Sequence, residues 1–171
     1  SDSIHQLFPW GSHPVLDPMW GSDRLRLRHD GCEAVRFQKL ERIAGNAEAL
    51  ASLRVCWKNF DNAYNCGRCE KCLRTMIMLD AVGALDRCPV FSAPLTREAM
   101  EAIDFTRFYS RIYYYEFLHE LRKNGRRPDL QRYLVRKLAP YLEVDPPINT
   151  DILRAAGVKR RWWRRLGSAP S

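Results

Sequence analysis

Apolar residues recur at helical spacing along most of the chain and alternate with polar ones in one short run. From Val35 to Ala44 the apolar positions Val35, Phe37, Leu40, Ile43 and Ala44 suit one face of a helix, with Lys39, Glu41 and Arg42 outside and Gly45 as a stop. A second short helix is predicted from Ala47 to Leu53. The run LRTMIMLDAVG puts Leu73, Met76, Ile77 and Ala81 on one stripe and ends at Gly83, where a C-terminal cap prefers glycine. Thr96 can cap a helix through Ile103, with Glu98 placed well for its dipole. Residues 105–123 predict a longer aromatic helix with Phe108, Ile112, Tyr115, Leu118 and Leu121 inward, closed by Asn124-Gly125. Pro128-Asp129 opens another through Leu138, and a last short one is predicted near Thr150 to Ala156. The tyrosines at 113–115 read as helix packing, because consecutive helical residues point in different directions.

The exception is LRLRH, residues 25–29, which alternates as a half-buried strand does and is followed by the turn signal Asp30-Gly31. Residues 1–23 are rich in Pro, Trp, Gly and Ser and read as an irregular segment that must pack Trp10 and Trp20 against something.

Composition narrows the class. The chain has 171 residues, 46% apolar and 28% charged, the balance of a globular protein with one main unit. No uncharged apolar run approaches the roughly 20 residues needed to cross a bilayer. The N-terminal SDSIHQLFPWGSHP lacks the basic and apolar regions of a secretory signal, so a reducing, cytoplasmic setting is expected. The net charge of +8 drops to +3 once the tail cations Lys159, Arg160, Arg161, Arg164 and Arg165 are set aside. The folded part is therefore only mildly basic.

Four of the six cysteines, Cys56, Cys66, Cys69 and Cys72, fall in the stretch CWKNFDNAYNCGRCEKCLRT. The spacing, C-x9-C-x2-C-x2-C, makes them candidate ligands of one metal ion. Cys-x2-Cys turns deliver two thiolates to one ion, and Cys69 is shared between two such steps. Disulfides, or an iron–sulfur or redox role, are the alternatives, and the reducing setting makes zinc the favoured reading. Four thiolates around Zn²⁺ carry net minus two, for which Arg68, Lys71 and Arg74 are the expected compensating cations. Such a site has no open position and is structural rather than catalytic. The loop residues Asn59, Asp61, Asn62 and Asn65 read as turn formers, and Cys32 and Cys88 as buried free thiols.

The run VCWKNFDNAYNCGRCEKCLRTMIMLDAVG resembles the C-terminal zinc motif of 7-cyano-7-deazaguanine synthase. Cys56, Cys66, Cys69 and Cys72 match the four zinc ligands, Gly67 the glycine between them, and Arg74 lies near the family's arginine. QKLERIAG is similar to the family's preceding helix through Lys39, Glu41 and Ile43, and His13-Pro14 to its Thr-Pro. The resemblance covers roughly residues 10–85 and implies an adenine nucleotide alpha hydrolase-like, PP-loop ATP pyrophosphatase fold with a Rossmann-like parallel sheet. The family's ATP-binding Ser-Gly-Gly-x-Asp-Ser loop is missing, as are a Walker loop and GxGxxG, and Trp57 replaces the usual Tyr.

The resulting expectation is an α-rich α/β chain. Residues 1–88 are the C-terminal part of a PP-loop-like domain with its zinc knob, residues 89–157 a helical subdomain, and residues 158–171 a disordered basic tail. It would be non-catalytic alone, with no catalytic residues of its own. ATP would be bound only if an N-terminal nucleotide-binding half, or another copy, supplied the site. The alternative is a free-standing zinc-stabilised adaptor for nucleic acid or protein, for which the tail from Lys159 to Arg165, with Trp162 and Trp163, offers weak, salt-sensitive affinity. Among the remaining candidates, His13 and Asp17 read first as a turn held by the Ser12 and Asp17 side chains and second as pocket residues. Arg24, Arg26 and Arg28 read as a solvated face before a phosphate-facing one, and His5, His29 and His119 as surface or capping residues.

Overall fold

Leu73, Met76, Ile77, Met78 and Leu79 put apolar side chains around most of the helix Glu70–Ala81, and Cys72, Arg74 and Thr75 are buried with them, so the helix belongs inside. In the computed structural model, which describes residues 12–91 and 93–142, this helix is the central element. Labelled α3, it follows α1 (Arg36–Ile43) and α2 (Ala47–Ala51) and precedes α4 (Arg97–Glu101), α5 (Phe108–Lys123) and α6 (Pro128–Leu138). Short 3-10 turns at Asp17–Trp20, Phe60–Asn62, Leu85–Arg87 and Ala139–Tyr141 complete the regular structure.

One apolar core runs through α1, α3, α5 and α6. α1 lies against both α3 and α5, and Phe37 meets Phe117 with ring centroids 5.0 Å apart. α6 is amphipathic: Leu130, Leu134 and Leu138, one helical turn apart, are buried while Arg132 and Arg136 face water. It folds back on α5 after four residues. That reversal is built by Gly125 at φ 62°, with Arg126 N–H donating to Leu121 O at 2.9 Å and Gly125 N–H to Arg122 O at 3.1 Å. Gln131 Nε2 also donates to the Leu121 and Arg126 carbonyls. Gly83 ends α3 in the same way, at φ 66°, with Ala84 N–H on Leu79 O. Arg127 then ties the hairpin to α3 by pairing with Asp129 and Asp80.

Thr96 caps α4 as expected, its side chain accepting from Ala99 N–H at 3.1 Å. α4 is shorter than its pattern predicts, and α5 starts at Phe108 instead of residue 105, because Asp104 Oδ1 accepts from Thr106 N–H at 2.8 Å and forms a local turn. The carbonyls at the end of α4 are taken by α6, where Tyr133 Oη donates to Met100 O at 2.5 Å and Lys137 Nζ to Glu101 O at 2.9 Å.

Residues 25–29 depart from expectation. They form no strand, and no strand occurs among the described residues, so the sheet of the expected α/β architecture is not seen there. An alternating segment becomes a strand only when a neighbour takes its backbone groups. None does here, and Leu25 and Leu27 stand 55% and 39% exposed. Trp20 is 73% exposed instead of packed. The helix expected near residues 150–156, and the tail, lie outside the described residues.

Leu134, fully buried, marks the α5–α6 interface. Leu134→Ala is expected to cost about 3 kcal/mol through lost burial and a residual cavity. Urea denaturation measures this directly, and an unchanged midpoint would mean that α6 does not rest on α5 in solution.

Candidate metal centre

The four clustered cysteines converge. Cys56 enters from the segment after α2, Cys66 and Cys69 flank a tight turn, Cys69 is the residue just before α3, at its N-cap, and Cys72 lies in its first turn. Their sulfurs all lie within 4.8 Å of one another, and all four residues are buried. Cys56 Sγ is 3.5 Å from Cys66 Sγ and 3.9 Å from Cys69 Sγ, and Cys66 Sγ is 4.0 Å from Cys72 Sγ. A tetrahedron of sulfurs with metal–sulfur bonds of about 2.3 Å has edges of about 3.8 Å, so the group fits one ion. A disulfide needs sulfurs about 2.05 Å apart, and all six cysteines are free. The site can hold a metal ion.

The turns that aim the sulfurs follow from the local sequence. Gly67 has φ +67°, and a Cβ there would come within 2.9 Å of Ala93 Cβ and 3.1 Å of its N, so both conformation and space demand glycine. Backbone N–H groups point at the sulfurs: Asn59 N–H donates to Cys56 Sγ at 3.3 Å and Cys69 N–H to Cys66 Sγ at 3.4 Å. Asn59, Asp61 and Asn62 take left-handed conformations, φ 46°, 55° and 56°, and form the turns expected of them.

Asn65 does more than the sequence reading assigned to it. It is 1% exposed, and its Oδ1 accepts from Val55 N–H at 2.9 Å and Cys56 N–H at 3.1 Å while Nδ2 donates to Leu53 O at 2.7 Å. It thereby splints the Cys56 segment to the residue before Cys66. The one clue in the sequence is that it directly precedes the first Cys-x2-Cys cysteine; composition alone makes it one turn former among several.

Electrostatics favour a cation at the centre. Burial works to raise the Cys56 thiol, but backbone N–H groups of Cys66, Asn59 and Lys58 and the Cys66 thiol pull it down to about 6. Burial pushes the Cys69 and Cys72 thiols up; the Cys69 thiol adds to the rise at Cys72, while at Cys69 hydrogen bonds with Cys72 oppose it and those with Cys66 and Cys56 add to it. Four thiols in one dry volume cannot all ionise unless a metal ion takes up the charge.

The expected compensating cations are arranged differently. Arg68 pairs with Asp61 and lies 4.9 Å from the Phe60 ring centre, and Lys71 lies 5.7 Å from that of Trp57. Arg74 is two residues past Cys72, about 200° around the helix, so it points away from the sulfurs into the core.

Comparison with protein-family models, curated proteins and solved structures finds no match for this chain. The cysteine geometry therefore carries the functional argument by itself.

The other candidates resolve mostly to local roles. Asp17 accepts from Ser12 Oγ at 2.9 Å and His13 N–H at 2.8 Å, the side-chain-held turn expected first. His29, read as a surface or capping residue, is partly buried and joins Asp17 across twelve positions, its Nδ1 2.5 Å from Asp17 Oδ2. That hydrogen bond leads the forces holding the Asp17 carboxyl below its usual range. Arg24, Arg26 and Arg28 are exposed. Cys88 is buried, with its thiol on Leu50 O at 3.5 Å, whereas Cys32 is only partly buried, against expectation. No described helix is long and apolar enough to cross a membrane. His5 and the basic tail fall outside the described residues.

Asn65→Ala would leave the Val55 and Cys56 N–H groups without their acceptor and loosen the Cys56 segment. It is expected to lower zinc affinity about 10- to 100-fold in chelator competition, the scale of lost supporting hydrogen bonds around metal ligands. Affinity equal to wild type would show that Asn65 does not position the site. Because the thiols must lose protons to bind, zinc affinity is expected to rise with pH, and a flat profile in the same assay would exclude thiolate ligation.

Proposed function

We propose that this chain is the zinc-binding C-terminal region of a PP-loop ATP pyrophosphatase-type protein similar to 7-cyano-7-deazaguanine synthase, non-catalytic alone and completed by a nucleotide-binding half. The observation that carries the reading is the four-sulfur cluster at the start of α3, with its shared middle ligand and glycine turn. All-sulfur donors in tetrahedral spacing suit Zn²⁺, which has no geometric demand beyond the tetrahedron, and a reducing compartment keeps the thiols available. With every position filled by the chain, the ion would tie the Cys56 loop to α3 and stabilise the fold.

Two features support a missing half. The sequence has no recognisable loop to cradle the phosphates of a nucleotide. Residues 25–29 keep a strand's alternation without a ladder, and Val15, Met19, Trp20 and Leu25 are all more than half exposed. A sheet edge contributed by the nucleotide-binding half would accept LRLRH as a strand and cover these side chains. The residues held by zinc would then buttress the end of that sheet.

Native mass spectrometry of protein purified without reductant is expected to show one zinc per chain and free thiols. Cys69→Ser, which removes the shared ligand, is expected to lose the ion and unfold residues 54–85; unchanged thermal stability would sink the structural-zinc claim. The protein alone is expected not to convert ATP to AMP and pyrophosphate. Metal-dependent AMP release at an enzymatic rate would overturn the reading of an incomplete enzyme, and tight RNA binding lost on deleting residues 159–171 would favour the adaptor instead.

A further inference from the structure

The loop between Cys56 and Cys66 carries three large aromatic residues and buries none of them. Trp57 is 58% exposed, Phe60 42% and Tyr64 47%. Smaller side chains are given to the cluster instead: Val55, just before Cys56, and Ala63 pack against the sulfurs. Burial alone would sort them the other way, since a ring gains more than an alanine methyl by leaving water. Each ring is met by a cation. Lys58 Nζ lies 4.4 Å and Lys71 Nζ 5.7 Å from the centre of the Trp57 ring, the Arg68 guanidinium 4.9 Å from that of Phe60, and the Arg54 guanidinium 5.1 Å from that of Tyr64. The pairs adjoin one another. Arg68 and Lys71 stand three residues apart at the entry to α3, which sets Phe60 near Trp57. Arg54 Nη2 also donates to Asn59 Oδ1 at 3.3 Å, which sets Tyr64 beside the turn that carries Phe60.

Of these four cations only Arg68 has an acid, Asp61, while Glu70 is turned to Arg74. Among the described residues no carboxylate pairs with Arg54, Lys58 or Lys71. Over residues 54–71 the four cations stand against Asp61 and Glu70, and a metal-filled cluster of four thiolates would add net minus two beneath them. The total is balanced, so attraction at long range is weak and binding has to come from the ring faces, with the unpaired cations acting at contact. That combination selects the partner. A merely acidic chain leaves the rings unused, and an apolar protein face buries the cations without counter-charge, which is costly. A nucleic-acid single strand supplies both in every repeat, a flat base for a ring and a phosphate for a cation. A duplex keeps its base faces stacked and offers the rings nothing.

We propose that the Cys56–Cys66 loop is a docking surface for single-stranded nucleic acid, with bases on Trp57, Phe60 and Tyr64 and phosphates on Arg54, Lys58 and Lys71. Bases displace the cations from the ring faces, and the cations swing to the adjacent phosphates. The cysteine cluster holds the base of this surface, as it holds the loop. The surface is separate from the basic tail and does not rest on the PP-loop reading.

Fluorescence anisotropy of a labelled oligothymidylate of about ten nucleotides, titrated with the zinc-loaded full chain at about 50 to 200 mM salt, tests it. Saturable binding is expected, and an oligouridylate of the same length is expected to bind within about threefold, since base faces and phosphates are common to both. Trp57→Ala is expected to weaken binding at least about tenfold with zinc content and melting temperature unchanged, whereas Trp57→Phe, which keeps a ring face, stays within about threefold of wild type. Lys58→Gln with Lys71→Gln is expected to lower the salt slope by about 1.4, two phosphate contacts at about 0.7 each. Arg160→Gln with Arg161→Gln, in the tail, is expected to weaken binding less than Trp57→Ala does. No saturable binding, Trp57→Ala equal to wild type, a larger loss from the tail pair than from Trp57→Ala, or competition by polyglutamate as strong as by the oligonucleotide, which would assign the surface to an acidic protein, would each overturn the proposal.

Discussion

Everything near α3 depends on four thiols being brought into one buried volume at its N-terminal end. Cys69 sits at the helix N-cap and Cys72 lies in the first turn, so the position of α3 and the position of the cluster are one constraint. Without a central charge the cluster is in conflict, since backbone N–H groups pull the Cys56 thiol down to about 6 while burial pushes the Cys69 and Cys72 thiols up. A divalent ion held there would remove that conflict and fix the loop from Cys56 to Cys66 by closing a ring of chain around itself. The free energy of binding is then free energy of folding, because the unfolded chain does not hold the four sulfurs together. Asn65 and Gly67 serve the same constraint. One ties the incoming segment by three hydrogen bonds, and the other lets the turn pass against Ala93.

The central helix faces two kinds of environment at once. Cys72 meets the sulfurs, Ile77 and Leu79 meet the apolar core, and Arg74 reaches into the seam with α1 and α5. A long buried guanidinium in that seam is costly unless charge and hydrogen bonds meet it. Tyr113 meets its face and Glu70 part of its edge, which explains why it can be buried at all.

Periodicity made the helices legible where one force acted alone. α6 has three leucines one turn apart and charged residues between, and its predicted and observed limits coincide. α3 was legible as a stripe of four, yet the structure buries it nearly all round and starts it three residues earlier, because the cysteine turn places it inside and supplies its first turn. The helix pattern at 105–123 loses its first residues to the Asp104–Thr106 turn, a local hydrogen bond that hydrophobic spacing does not register. The cysteine site was legible by spacing alone, since Cys-x2-Cys steps force proximity whatever the surrounding fold. Asn65, the Asp17–His29 pair and the Arg36–Arg74 seam were not, because each joins residues through the tertiary structure and no period in the sequence announces it.

The strand pattern at 25–29 is instructive in the opposite sense. Leu25 and Leu27 alternate with arginines as they should, and the backbone forms no ladder. Alternation sets which face of a strand is apolar, but the strand itself exists only when a neighbour takes its N–H and C=O groups. The helical core and its cysteine cluster are different, for their sulfurs, helices and caps are all supplied from within residues 35–142. The core needs no strand from elsewhere, whereas residues 25–29 keep the alternation without the neighbour that would make them a strand.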